Sequence, residues 1–209
     1  MTFYKRMATC KRLAAGTVAA LLMSGTAQAA GPYAGFSVGY QDIDVGFSES
    51  SAEFGDVRVD GLGGSGALFR AVVGYDSMNV AAPYLIGVEA NIAQGGADAQ
   101  VDADGLRTTL SAEESYGIAA RFGGHVSDEV AAFGLLGYQR TSFEARTGVF
   151  SEDRNFDGLR LGAGADFRVA PQLDLRMQYS RTWYNSRTFD GLKVDPEESA
   201  FEAGVVYRF

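Results

Sequence analysis

Residues 201–209 read Phe201-Glu202-Ala203-Gly204-Val205-Val206-Tyr207-Arg208-Phe209. Phe201, Ala203, Val205, Tyr207 and Phe209 share one parity, and Glu202, Gly204, Val206 and Arg208 share the other. Successive side chains of a strand point to opposite faces, so this is a strand with one apolar side and one small or charged side. The pattern recurs upstream. Leu173, Leu175, Met177 and Tyr179 oppose Asp174, Arg176, Gln178 and Ser180. Leu159, Leu161, Ala163, Ala165 and Phe167 oppose Arg160, Gly162, Gly164, Asp166 and Arg168. Phe36, Val38 and Tyr40 alternate with Gly35, Ser37, Gly39 and Gln41; Phe69, Ala71, Val73 and Tyr75 with Arg70, Val72, Gly74 and Asp76. Tyr84, Ile86, Val88 and Ala90 alternate with Leu85, Gly87 and Glu89, and Tyr116, Ile118, Ala120 and Phe122 with Gly117, Ala119, Arg121 and Gly123. In the segment from Val130 to Arg146, Phe133 and Leu135 differ in parity from Leu136 and Tyr138, which leaves its facing open.

Eight such segments of about ten residues match tilted strands crossing a bilayer. The connections alternate in length. Polar stretches at 46–67, 95–114, 147–156 and 186–198 read as long loops, and 77–83, 127–129 and 170–172 as short turns. Transmembrane barrels have long external loops and short periplasmic turns. The reading is therefore all-β: an eight-stranded antiparallel up-and-down transmembrane β-barrel with both ends of the barrel segment in the periplasm.

Composition narrows the class further. The 209 residues carry 18 Lys+Arg against 26 Asp+Glu, with no basic block, which disfavours nucleic acid as a partner. The longest apolar run after the N-terminal region is Val130–Tyr138, far short of a membrane helix. At the N-terminus, Lys5, Arg6, Lys11 and Arg12 precede the apolar stretch Leu13–Met23 and the small residues of Ala27-Gln28-Ala29. This is the pattern of a Sec-type signal peptide over residues 1–29, leaving a barrel domain at 30–209. Removing it takes away four of the 18 basic residues, none of the 26 acidic ones and the sole cysteine, Cys10, so the remainder carries a formal charge of −12. Without Cys10 there is neither disulfide nor thiolate ligand.

The ending at Phe209 resembles the C-terminal signature of Gram-negative outer-membrane barrels, a terminal Phe preceded by alternating apolar residues. The opening Gly31-Pro32-Tyr33-Ala34-Gly35-Phe36-Ser37-Val38-Gly39-Tyr40 resembles the first strand of porin-family, opacity-like eight-stranded barrels related to OmpA and OmpX. The resemblance covers essentially the whole chain after residue 29. It implies the cell outer membrane as location, lipid and lipopolysaccharide as surroundings, and recognition of the last strand by the barrel-assembly machinery. It says little about function, because such barrels serve as adhesins, resistance factors and occasional enzymes.

Two groups of residues stand out. Arg70, Glu89, Arg121, Arg160, Asp166, Arg176 and Glu202 have inward parity, as do Arg168, Asp174 and Arg208. An eight-stranded barrel is just wide enough for side chains to fill, so these read as a structural plug of ion pairs. Glu89–Arg121 and Arg176–Glu202 are the expected pairs, each on neighbouring strands. Tyr33, Tyr84, Phe167, Tyr207 and Phe209 fall near the periplasmic rim, and Phe201, Trp183 and Tyr184 near the outer one, as membrane-interface aromatics.

Other candidates are weaker. His125, the sole histidine, is placed at the periplasmic rim, where Ser127 and Asp128 do not make it a catalytic base. Gly61–Gly66 is glycine-rich but lacks the Lys-Ser/Thr of a phosphate loop. The many loop acids match no calcium-loop spacing. No catalysis, cofactor or metal is expected. The favoured role is structural or surface-interactive, through four acidic external loops toward an external ligand or host surface, as a monomer. A narrow channel is the alternative, followed by a lipid-modifying enzyme and a soluble periplasmic ligand-binding barrel with its faces inverted.

Overall fold

A computed structural model describes residues 31–51, 55–78, 84–103, 106–147, 150–189 and 192–209. The segment read as a signal peptide lies outside the described residues. The described residues form nine strands: β1 Gly31–Ser51, β2 Gly55–Met78, β3 Tyr84–Ala103, β4 Leu106–His125, β5 Val130–Thr147, β6 Phe150–Ala170, β7 Leu173–Tyr184, β8 Arg187–Phe189 and β9 Leu192–Arg208. Neighbours pair antiparallel in chain order, with β7 and the short β8 following one another along the same edge of β9. Pairing of β1 with β9, from Tyr33↔Arg208 to Glu49↔Leu192, closes the wall. The result is the expected eight-strand antiparallel barrel, with β8 as a detached continuation of β7. Closure leaves every wall strand with two partners, which a membrane-spanning sheet requires.

One end carries tight connections. Val130 N–H donates to the Ser127 carbonyl (3.3 Å), and Pro171 and Gln172 join β6 to β7. Gly31 and Phe209 lie at this end too, with Phe209 N–H donating to the Pro32 carbonyl. The short turns expected at 127–129 and 170–172 are present; most of 77–83 falls outside the described residues.

The opposite end departs from expectation. The stretches read as long loops are mostly ladder: pairing runs to Ser51↔Gly55, Ala103↔Leu106, Thr147↔Phe150 and Phe189↔Leu192. Gly63–Gly66, read as flexible loop, pairs with Gln41–Asp44. A Cβ on Gly63 would meet the Ile43 carbonyl at 2.5 Å, so glycine serves close strand approach there. The reason for the misreading is physical. A strand with water on both faces needs no polar–apolar alternation, so its composition looks like a loop. At about 3.3 Å per residue, the 21 residues of β1 span roughly 70 Å, well beyond a hydrocarbon core of about 30 Å even when tilted.

Inside and outside are unambiguous. Arg70, Arg121 and Arg160 are 1% exposed, whereas Ile86, Ile92, Ile118 and Val88 are more than half exposed. That arrangement excludes the inverted, soluble alternative. β5 is also settled: Phe133 and Leu135 face inward with Gln139 and Thr141, while Leu136 and Tyr138 face out.

Candidate functional site: the lumen charge network and the outer belt

All eight wall strands contribute to the lumen filling. Nearest the short-turn end, Arg121 from β4 bonds Asp76 of β2 at 2.8 Å and Asp166 of β6 at 3.0 Å. Arg176 from β7 grips Asp166 through two nitrogens, at 2.7 and 2.9 Å, and reaches Glu89 of β3 at 2.6 Å. Arg208 from β9 contacts Asp76 at 3.0 Å, Asp166 at 3.1 Å and Asp174. Tyr33 of β1 donates to Glu89 at 2.8 Å and accepts from Arg121 at 2.9 Å. Phe133 of β5 lies under the Arg121 guanidinium, 4.1 Å from the ring centre, and under Arg176 at 5.0 Å. Cation–π attraction explains an apolar ring among these charges.

Farther along, Arg70 binds both Glu202 oxygens through Nε at 2.9 and 3.0 Å and donates to Asn91 at 2.6 Å. Arg160 reaches Glu202 at 3.4 Å, and Ser37 donates to the same carboxylate at 2.8 Å. Beside this group, the cavity bounded by Arg70, Val72, Arg176, Gln178 and Glu202 holds about 10 Å³, no more than one water. A third group, Tyr184 with Thr141 and Glu198, closes the series toward the hairpins.

All seven interior residues singled out from sequence thus meet in the lumen, but not in the expected pairs. Glu89 bonds Arg176 instead of Arg121, and Glu202 bonds Arg70 and Arg160 instead of Arg176. The cause is register. Arg121 sits opposite Gly87 on β3, and Arg176 opposite Gly204 on β9. With no side chain on that side, Arg121 turns to Asp76 on β2 and Asp166 on β6, and Arg176 turns to Asp166 beside it on β6 and to Glu89 across the lumen on β3. Asp76 was overlooked, although its parity with Arg70 was the available signal, and Glu198, in a stretch read as loop, also enters the lumen.

Tyr33 is a second correction. It is 2% exposed and points into the lumen, as does Tyr184, so neither is an interface aromatic. Tyr33 shares the parity of Gly35, not of Phe36, and a terminal position does not override parity. Replacing Tyr33 with Phe is expected to lower unfolding stability by about 1–2 kcal/mol in a urea titration, through loss of the hydroxyl between Glu89 and Arg121.

The remaining aromatics lie on the outer surface. Tyr84, Phe167 and Tyr207 are exposed, and Phe209 packs edge-on against Tyr207 at 5.2 Å. Toward the hairpin end, Trp183 is exposed under Arg181, whose guanidinium is 5.6 Å from the ring centre and pairs with Glu197. Arg140 pairs with Asp157 at 2.8 Å at the same end, and Tyr138 donates to Asp157. Trp183 is the sole tryptophan. Its emission is expected to be blue-shifted and quenched by brominated lipids in reconstituted vesicles; water-like, unquenched emission counts against an interfacial position.

His125 ends β4 at the short-turn end, with Ser127 and Asp128 exposed in the adjoining turn. Among the described residues, no group of three or more His, Cys, Asp or Glu is placed to hold a metal ion.

A closed wall, apolar outside and charged inside, defines a membrane-spanning β-barrel. Residues 13–209 match the outer membrane protein beta-barrel domain, and the chain belongs to that family of the outer membrane. The barrel is similar to the solved structure of Ail, the attachment invasion locus protein of Yersinia pestis (20% identity, TM-score 0.45, covering 86% of this chain and 99% of that one). It is also similar to Neisserial surface protein A (18%, TM-score 0.48, 83% and 97%) and to the outer membrane protease OmpT of Escherichia coli (10%, TM-score 0.42, 85% and 96%). Among curated proteins, no sequence matches this chain.

Proposed function

We propose that this protein is a non-conducting outer-membrane barrel that acts at the cell surface through its extended hairpins, without catalysis. The observation that carries the reading is the lumen: Arg–carboxylate pairs contributed by strands all round the wall occupy it, with Arg70, Arg121, Arg160, Glu89, Asp166 and Glu202 all at most 2% exposed. A filled interior offers no solute path, which leaves the hairpin end as the part free to meet a partner. On this reading residues 1–29 direct export, the short-turn end faces the periplasm, and the terminal strand is what the assembly machinery recognises. Arg140 and Arg181, each beside a carboxylate at the outer rim, sit where lipopolysaccharide headgroups lie. Within its membrane-spanning part the barrel satisfies its own edges, so a monomer suffices.

Reconstitution into planar bilayers tests the filled lumen. No discrete conductance steps are expected; steps that change with Arg121 or Arg176 substitution would establish the channel alternative. The surface role is tested by trimming each hairpin back to the membrane rim while confirming a heat-modifiable barrel. Attachment of expressing cells to a eukaryotic cell layer should fall, and unchanged attachment would refute the role.

A further inference from the structure

The outer wall is not uniformly smooth. Ala71 of β2 faces out between two large neighbours, pairing with Phe36 of β1 on one side and Ile92 of β3 on the other. Ile92 in turn pairs with Tyr116 of β4, and Phe69 stands on the same face of β2 as Ala71. These four large side chains are about half exposed or more, whereas Ala71 ends at its Cβ. They form the walls of an open groove, and Ala71 forms its floor. The groove holds about 430 Å³, within the roughly 300–1,000 Å³ typical of small-molecule sites.

The groove also has a direction. Its row continues from Tyr116 to Arg140 and Asp157 at the hairpin-end rim. The other way, it passes from Phe36 through Val205 and Leu175 to Phe167 at the short-turn rim. Strand tilt and stagger carry each such row up the wall of a barrel. The part from Phe36 to Tyr116 therefore climbs from the apolar middle of the wall to headgroup level, over three strand spacings or about 14 Å. Gln94 and Glu114, paired across β3 and β4, line its upper end and are exposed. Just above them the ladder is irregular, with Gly95 and Gly96 against Glu113, and such bulges re-aim side chains. The arginines of this rim already have carboxylates: Arg140 has Asp157 at 2.8 Å, and Arg181 has Glu197. Among the described residues, Glu114 has no such cation.

We propose that this groove is a selective lipid site: one aliphatic chain of a lipid in the hairpin-side leaflet lies over Ala71, and a primary ammonium in the same lipid's head meets Glu114. The ammonium supplies donors that both the Glu114 carboxylate and the Gln94 amide oxygen accept. Next to hydrocarbon, that charge pairing is stronger than in open water. A head that carries phosphate alone is repelled by Glu114, and the nearest arginine, Arg140, is held by Asp157.

The probe is phosphatidylethanolamine with a photoactivatable diazirine in one chain, held at a low fraction in phosphatidylcholine nanodiscs that carry the refolded barrel. After irradiation, adducts are located by mass spectrometry. Labelling is expected to concentrate on Phe36, Phe69, Ala71 and Ile92, with little on Leu161 and Met177 of the far wall. The same probe with its amine acetylated keeps tail and phosphate but loses the positive charge, and should label the groove about threefold less. Glu114→Gln should abolish the difference between the two heads. Ala71→Phe fills the floor and should lower groove labelling by both. Each substitution lies on the outer face, so both variants should keep a heat-modifiable barrel. Even labelling all round the wall overturns the groove. Equal labelling by the two heads, stronger labelling by a phosphatidic acid probe, or a head preference that survives Glu114→Gln overturns the ammonium assignment.

Discussion

Glu202→Gln is expected to remove about 3–5 kcal/mol of unfolding stability, the loss that follows when a buried ion pair is broken on one side. Glu202 is the carboxylate that Arg70 and Arg160 share. Arg160 has no other ion pair among the described residues, and its Nε and Nη1 lack hydrogen-bond partners. The amide keeps the size of the carboxylate but leaves two buried guanidiniums without a counter-charge. At the other end of the lumen the same kind of loss is shared, because Asp166 faces Arg121, Arg176 and Arg208, and each of these has a further carboxylate. Asp166→Asn should therefore cost less than Glu202→Gln despite having more partners. Urea titration of the refolded barrel, read by gel mobility without heating, gives both values. Adding Arg160→Met to Glu202→Gln should recover part of the loss. A single-variant cost below about 1 kcal/mol would mean that water, not Glu202, neutralises this part of the lumen.

Gly39→Val should prevent barrel closure in most molecules. Gly39 pairs with Glu202 where β1 meets β9, the seam that converts a sheet into a barrel. A Cβ there would lie 2.1 Å from the Phe201 carbonyl oxygen and 2.8 Å from the Glu202 Cα. Both are backbone atoms, so no side chain can swing aside, and the cost should exceed about 3 kcal/mol. Gly96→Val is the matched control. Its Cβ meets only the Ala67 carbonyl oxygen, at 3.8 Å, so stability should change by less than about 0.5 kcal/mol. The expected readout is loss of the compact, unheated gel band for Gly39→Val with the band intact for Gly96→Val. Normal folding of Gly39→Val would show that the β1–β9 register can slip to relieve the contact.

The amino-acid sequence by itself determined which segments are strands across the membrane, which faces are apolar, and which charged residues enter the lumen. Period-2 alternation is local, and a bilayer outside a narrow lumen leaves each parity one solution, so Arg70, Glu89, Arg121, Arg160, Asp166, Arg176 and Glu202 were legible one strand at a time. Three features were not. The facing of β5 was ambiguous because Phe133 serves as a ring beneath two guanidiniums, a place for an apolar residue that exists only once β4 and β7 are assembled around it. The partners were misassigned because pairing depends on the relative heights of residues on different strands, and alternation within a strand says nothing about stagger between strands. Glycines at 87 and 204 then leave Arg121 and Arg176 no partner at their own level on β3 and β9, so Arg121 turns to Asp76 and Asp166 and Arg176 to Asp166 and Glu89. Finally, the hairpins beyond the membrane carried no alternation, because water on both faces imposes none. Only the tertiary register decided that they remain strands.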